Sequence, residues 1–198
     1  MKQINLVFIL CVLVYSFVSC GKKTGNEPVV VPQNTVERTW NFSFMDVNFE
    51  NTEEWMDGSS RLKKITRIIY VTEKNGGTCT FDGTKATSDK LTYEVNTTEK
   101  ISMYRNDTLI SSTTEPLTFT VASTEFISDY TKFGSDSLRM SNGPIKIEPS
   151  FPSRQIGLKL RFEGDKLFMS YDIRETSTSA TQVVDTDMAK VVIAMQKK

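Results

Sequence analysis

The feature that most constrains the fold of this chain is an alternation of apolar and polar residues that recurs in short stretches from residue 40 onward. In the first stretch, Trp40, Phe42 and Phe44 alternate with Asn41 and Ser43. A period of two places successive side chains on opposite faces of a β-strand, so we expect the three aromatics on one buried face. Later stretches repeat the pattern at similar spacing, which predicts a sheet with one apolar side.

Turn-forming residues separate these stretches. Asp82-Gly83, Asn106-Asp107 and Gly164-Asp165 each lie between two β-prone stretches, and Lys74-Asn75-Gly76-Gly77 carries the strongest hairpin signal. The polar segment 51–60 is predicted to be a loop or a single helical turn. The polar segment 175–181 is predicted to be a loop, and the apolar stretch 191–195 is predicted to be the closing strand.

Short strands and frequent turns, without a long helical pattern, predict an all-β fold. Consecutive hairpins imply an antiparallel up-and-down sheet of about 8–10 strands. Closure into a barrel would remove the exposed sheet edges, whereas an antiparallel β-sandwich would only cover them. We therefore favour the barrel, with the sandwich as the alternative, and expect it to cover residues 37–198.

The N-terminal residues have a different character. Lys2 precedes an apolar run from Leu6 to Val14, which is typical of a secretory signal peptide and is too short to span a bilayer. Residues 17–21 resemble the lipobox of bacterial lipoproteins, in which the cysteine is acylated and becomes the new N-terminus. The resemblance implies a signal peptide over residues 1–19, a lipid on Cys20 and a flexible tether over residues 20–36.

Composition excludes several functional classes. The chain has 24 basic and 24 acidic residues and no histidine. The charge balance gives no reason to expect nucleic-acid binding, and the lack of histidine excludes Ser-His-Asp catalysis, Cys-His catalysis and histidine-ligated zinc. Once Cys11 has left with the signal and Cys20 is acylated, Cys79 is the remaining thiol, which we expect to be a buried small hydrophobe. We expect neither enzyme activity nor a cofactor.

Two acidic pairs are the remaining candidates for chemistry, Glu53 with Glu54 and Asp185 with Asp187. On a strand, Asp185 and Asp187 would share a face at about 6.5–7 Å, which is near the carboxylate spacing of inverting glycosidases. Calcium binding by the same two residues and backbone oxygens is a further option. Acidic pairs on exposed strand ends are far commoner, so we expect neither catalytic residues nor a metal site here.

The mature chain resembles the small lipocalin-like, calycin-type lipoproteins of the Bacteroidetes. The resemblance is carried by Trp40 in the first strand, the stretch Thr80-Phe81-Asp82-Gly83-Thr84, the strand Leu91-Thr92-Tyr93 and the C-terminal segment 191–198. It implies an up-and-down barrel whose inward face lines either a packed core or a cup for one small apolar ligand. The inward candidates are aromatic: Trp40, Phe42, Phe44, Tyr93, Phe119, Phe162 and Tyr171.

Two short motifs indicate modification. Asp107-Thr108-Leu109 and Asp136-Ser137-Leu138 resemble the Asp-Ser/Thr-aliphatic O-glycosylation site of secreted Bacteroidetes proteins. The resemblance would place glycans on Thr108 and Ser137.

Two functional hypotheses follow. In the first, the protein is a membrane-anchored lipoprotein of the cell envelope, at the outer membrane, that carries a small apolar ligand. In the second, it is a non-catalytic interaction or envelope-structural module with a solid β core, whose loops 51–60 and 175–181 contact a protein or a glycan. Under both hypotheses we expect a monomer held to the membrane by its N-terminal lipid.

Overall fold

The computed structural model describes residues 35–141, Ile145 and residues 155–198, and its regular elements there are all β-strands. The strands are β1 (Thr39–Asp57), β2 (Ser60–Val71), β3 (Glu73–Phe81), β4 (Lys85–Arg105), β5 (Thr108–Phe133), β6 (Ser137–Met140), β7 (Ile156–Glu163), β8 (Lys166–Thr178) and β9 (Val184–Lys197). The predicted all-β class is confirmed.

The nine strands form one antiparallel up-and-down sheet whose hydrogen bonds run in a ring. β1 pairs with β9 from Trp40 to Glu54, which joins the first strand to the last. Such a ring fits the predicted barrel and also fits the sandwich alternative. The turns predicted at Asp82-Gly83, Asn106-Asp107 and Gly164-Asp165 are confirmed, since each connects two paired antiparallel strands.

The hairpin predicted at 74–77 is wrong, because the chain does not reverse there. β2 and β3 run in the same direction, and both lie between β1 and β4. Each of them pairs with a different part of β1 and of β4. The pairing register with β4 shifts on both sides of Gly76. Gly77 has a φ of 90°, and a Cβ at this position would lie 2.4 Å from the carbonyl oxygen of Lys90. The Asn-Gly signal therefore marks a β-bulge that only glycine fits.

The two predicted loops are also wrong, because both segments belong largely to strands. β1 runs through residues 51–57 and pairs there with β2, and β8 extends to Thr178. Cross-strand contacts hold the polar side chains of these segments, as in the ion pair between Lys64 Nζ and Glu53 Oε1 at 2.7 Å. The reversals are confined to residues 58–59 and 179–183. The alternation of apolar and polar residues is absent from these strand segments, because both of their faces carry polar residues.

The ring differs at its two ends. The closed end has its turns at residues 82–84, 134–136 and 164–165, and pairing there continues from β5 through β6 and β7 to β8. The open end has its turns at residues 58–59, 106–107 and 179–183, and its strands pair in the order β8, β9, β1, β2, β4, β5. Within the described residues, β5 pairs with β6 from Tyr130 onward, and β8 pairs with β7 only up to Ser170. The pairing of β6 and β7 with their neighbours is therefore confined to the closed end.

The hydrophobic core lies on the inner side of the ring, here called the core side. Directly opposite residues on antiparallel strands share a face, so the register fixes which residues belong to this side. Burial of a large apolar side chain contributes about 1.5–3 kcal/mol. Almost fully buried examples occur on most strands: Trp40, Met45, Phe81, Leu91, Tyr93, Leu138, Met140, Leu158, Leu167, Met169, Ile193 and Met195.

Candidate functional site

Tyr93 lies at the centre of the aromatic residues that were predicted to line a cavity. Its ring centroid is 6.3 Å from that of Phe42 and 6.4 Å from that of Phe119, and both pairs are edge-to-face. Tyr171 approaches Tyr93 from β8, across the ring from β4. Burial, and then the neighbouring Tyr93, raise the pKa of the Tyr171 phenol well above its usual value. Four of the seven predicted residues thus lie close together on the core side.

Two further predicted residues form a separate contact at the closed end. The ring centroids of Trp40 and Phe162 are 6.2 Å apart. Trp40 is buried, and its Nε1–H donates a hydrogen bond to the carbonyl oxygen of Val36 at 2.8 Å. This bond fixes the chain where it enters the sheet.

The seventh residue, Phe44, does not share a face with Trp40 and Phe42, so this part of the prediction is wrong. The register between β1 and β9 shifts between Phe42 and Phe44. Met45 takes the buried position instead and is 0% exposed. One extra residue in a strand moves every following side chain to the opposite face, which the regular spacing of aromatics in the sequence does not reveal.

The Tyr171 hydroxyl has no hydrogen-bond partner among the described residues, although it is fully buried. A buried hydroxyl without a partner costs about 1–3 kcal/mol. Tyr130, a buried tyrosine at the closed end, is satisfied, because its Oη accepts a hydrogen bond from the Gly83 N–H at 2.9 Å. Tyr171 is therefore the one point at which the otherwise apolar centre presents an unused polar atom in the described part of the chain.

The core side changes character toward the open end. On β1, Val47 and Phe49 are buried, but the next residues on the same face are Asn51 and Glu53. Carboxylates lie on the core side toward the open end on five strands. We call these residues the acidic face: Glu53 on β1, Glu99 on β4, Glu115 on β5, Glu175 on β8, and Asp185 and Asp187 on β9.

The two acidic pairs that the sequence suggested have different arrangements in the structure. Glu53 lies on the core side and Glu54 on the outer side, opposite Lys63. Asp185 and Asp187 do share a face, as predicted, and the Asn51 amide donates to both, at 2.5 Å and 2.9 Å. In the described residues no set of three or more carboxylates and thiols is arranged to hold a metal ion. An amide wedged between the carboxylates suits a structural bridge, not the space that a sugar substrate requires.

Cys79 is a free, buried thiol, as predicted. Burial raises its pKa from 9.0 to about 12. The reactive thiolate is therefore scarce near neutral pH, which suits a packing role for Cys79.

The predicted modification sites differ in accessibility. Thr108 is exposed and directly follows the Asn106-Asp107 turn at the open end. Ser137 is half-buried, and its hydroxyl donates a hydrogen bond to Asp136 Oδ1 at 3.1 Å. Cys20 and the predicted signal and tether up to residue 34 lie outside the described residues.

A groove of about 310 Å³ lies on the outer side of β1, β9 and β8, away from all predicted site residues. Its walls include the half-buried Glu50 and the exposed Arg174 and Lys190, so it carries both charge signs. No pattern in the sequence indicates this groove, because it forms between strands that are distant along the chain. The described residues contain no helix that is both long and apolar enough to cross a bilayer.

Comparison of the chain with protein-family models, with curated proteins and with solved structures finds no match.

Proposed function

We propose that this protein is a non-catalytic binding module of the bacterial cell envelope, held at the outer membrane by a lipid on Cys20, and that it contacts a partner through its open end. The observation that carries the proposal is the contrast between the aromatic cluster around Tyr93 and the half-exposed polar surface beyond it. The packed aromatic residues of the closed end stabilise the fold, so the open end is the surface that is available for recognition.

The chemistry of the side chains supports a non-catalytic role. The chain has no histidine, Cys79 is buried, and the Asn51 amide bridges the Asp185 and Asp187 carboxylates. The half-buried and exposed residues of the open end instead offer a broad surface on several strands.

Site-specific photo-crosslinking in intact cells tests the binding role. A photoreactive amino acid at Thr113, exposed on β5 at the open end, is expected to form an adduct with an envelope component. The matched control carries the same amino acid at Lys166, exposed on β8 at the closed end. Equal adducts from both positions, or none from Thr113, would contradict the proposal.

A second candidate function is the carriage of one small apolar ligand, as the lipocalin-like resemblance implies. The Tyr171 hydroxyl supports it, because a ligand carbonyl or hydroxyl in the core would satisfy this buried donor. Native mass spectrometry of the full chain tests it: a bound mass that is lost on denaturation, and lost in Tyr171→Phe, would support carriage. A bare protein in both cases would count against it.

The anchor has its own test. Two or more acyl chains are needed for stable attachment, since one chain binds a membrane only marginally. Cys20→Ala is therefore expected to move the protein from the membrane fraction to the soluble fraction, whereas unchanged membrane retention would contradict the anchor.

Glycans on Thr108 and Ser137 belong to the same proposal for an envelope protein. Intact-mass measurement of the protein from its native envelope, compared with Thr108→Ala and Ser137→Ala, is expected to show the loss of one glycan mass per substitution. We expect the exposed Thr108 to be occupied more completely than the half-buried Ser137.

A further inference from the structure

Four basic side chains cluster on the outer side of the sheet at the closed end. They lie on β6, β7 and β8, and the pairing register places all of them on the side opposite the buried Leu158. We call these residues the basic face: Arg139, Lys159, Arg161 and Lys166. All four are exposed. Because the chain as a whole has equal numbers of basic and acidic residues, this local excess of positive charge is produced by the fold.

Few acidic groups neutralise the basic face. Glu163 is the carboxylate of β6 and β7, and it contacts Arg161. The three other basic side chains form no ion pair with a described residue. The outer side of the open end differs, because several of its basic residues are paired, as in the ion pair of Arg61 with Asp107. The positive charge of the basic face is therefore available to an external anion.

Aromatic rings lie against the two guanidinium groups of the basic face. The guanidinium carbon of Arg139 is 4.6 Å from the centroid of the Phe133 ring, and that of Arg161 is 4.5 Å from the centroid of the Phe168 ring. Stacking on a ring orients the planar guanidinium while its N–H groups can still bind phosphate oxygens. Phe133 is 47% exposed. Cationic groups next to a partly exposed aromatic ring suit the interface between water and lipid.

The N-terminal segment enters the sheet at the same end as the basic face. Trp40, near the start of β1, is the register partner of Lys197. The Lys197 N–H in turn donates a hydrogen bond to the carbonyl oxygen of Asp165, in the turn between β7 and β8. Residues 20–36 span at most about 60 Å when fully extended, so a lipid on Cys20 would hold the basic face near the bilayer. Tethering raises the effective concentration of the membrane, so weak contacts suffice.

We propose that the basic face lies against anionic lipid headgroups of the membrane that holds Cys20, which leaves the open end facing away from the bilayer. The inference rests on the proposed function, because it needs the lipid anchor, and it adds a second, electrostatic contact that orients the domain. A soluble acidic partner would also match the charge, but the entry of the tether at the same end and the exposed Phe133 ring favour the membrane.

The test uses the full acylated chain in nanodiscs of phosphatidylcholine, either alone or mixed with phosphatidylglycerol. A fluorophore on Thr131→Cys, at the exposed register partner of Arg139, reports contact with the bilayer through quenching by nitroxide-labelled headgroups. We expect strong quenching in the anionic nanodiscs, which falls as salt is raised, and weak quenching in the neutral nanodiscs. The same fluorophore on Ser111→Cys, exposed at the open end, should stay unquenched in both.

The double variant Lys159→Gln/Lys166→Gln is expected to lower the ratio of docked to undocked chains about 30-fold, which is about fivefold per lysine. Both lysines are exposed, so the variant should keep the denaturation midpoint of the parent, which shows that it folds. Lys63→Gln/Lys100→Gln removes two lysines from the outer side of the open end. It is the matched control and should leave the quenching unchanged.

Equal quenching in neutral and anionic nanodiscs, equal quenching at the two labelled positions, or an equal loss in both double variants would overturn the inference. An absence of quenching at Thr131→Cys in anionic nanodiscs would also overturn it and would favour a soluble acidic partner instead. The proposed anchor fails in a different way, because a chain without a lipid on Cys20 does not enter nanodiscs. The same quenching, measured with that chain and phosphatidylglycerol vesicles, still tests the basic face.

Discussion

The closed end and the open end of this sheet share strands β1, β4, β5, β8 and β9 but use them differently. At the closed end the core side is apolar and packed, as at Trp40, Phe42 and Tyr93. At the open end the same strands present half-exposed side chains and opposed carboxylates such as Glu99 and Glu115. One sheet thus divides into a half that supplies stability through burial and a half whose side chains stay partly exposed, which is the half that we propose for recognition.

Substitution of the two tryptophans of the chain tests this division with the largest expected change in stability. Trp40→Ala is expected to lower the free energy of unfolding by about 3–5 kcal/mol, because it empties a buried site and removes the hydrogen bond to Val36. Trp55→Ala, at the open end, is expected to cost only about 1 kcal/mol, since Trp55 is partly exposed. Urea denaturation followed by circular dichroism measures both. Equal costs would show that the open end is packed like the closed end.

The reactivity of Cys79 tests how tightly the closed end excludes solvent. A pKa of about 12, against an ordinary 9.0, reduces the thiolate fraction at pH 8 about a thousandfold. Alkylation of Cys79, followed by peptide mass spectrometry, should be slow in the folded protein and fast in denaturant. Ser111→Cys, exposed at the open end, should react at once and serves as the matched control.

The same pKa shift predicts the effect of alkaline pH. Because the folded-state pKa of Cys79 is raised, its contribution to stability is complete below pH 9 and is lost as the pH rises toward 12. Cys79→Val should reduce this part of the alkaline destabilisation. An unchanged pH dependence in Cys79→Val would indicate that Cys79 is more exposed than its position suggests.

Two tyrosines predict smaller effects of opposite sign. Tyr171→Phe removes a buried hydroxyl without a described partner and should stabilise the fold by about 1 kcal/mol. Tyr130→Phe removes the acceptor for the Gly83 N–H and should destabilise the fold by about 1 kcal/mol. A loss of stability in Tyr171→Phe would show that a ligand or water satisfies this hydroxyl, which would favour the carrier function.

The smallest predicted effects concern one exposed carboxylate at each end. Hydrogen bonds from the backbone N–H groups of Thr84 and Lys85 lower the pKa of Asp82 at the closed end, and Arg61 lowers the pKa of Asp107 at the open end. A lowered folded-state pKa adds stability above the ordinary value of 3.8, and this stability is lost as the pH falls through the lowered value.

Asp82→Asn and Asp107→Asn should therefore each lower the thermal midpoint slightly at pH 7, and the difference from the parent should shrink below pH 4. Added salt should reduce the effect of Asp107→Asn, because it screens the contact with Arg61, and should leave the effect of Asp82→Asn nearly unchanged. Equal salt dependence of the two would contradict the assigned causes.

Periodicity predicted the fold class well but missed local features of the strands. The strands containing Trp40, Tyr93 and Tyr171, and the turn at Asn106-Asp107, were predictable because they depend on neighbouring residues alone. The register shift before Phe44 and the bulge at Gly76 were not, because a bulge is defined by the opposite strand. The strand content of residues 51–57 was missed because its polar side chains are held by partners on β2 and β9.

The sequence alone indicated Asp185 and Asp187 as an acidic pair and predicted their shared face, but it did not predict the acidic face. Glu99 and Glu115 are separated by a turn, and Glu53 meets Asp185 only because the first and last strands pair.

The sequence by itself determined the all-β class, the positions of three tight turns and the exclusion of histidine chemistry, since each follows from local pattern or composition. Only the tertiary structure decided that Tyr93 and Tyr171 meet on the core side, that Asn51 bridges Asp185 and Asp187, and that Glu99 opposes Glu115 at the open end. The reason is physical: side-chain direction is set by strand register, and register is fixed by pairing between segments that are far apart in the chain.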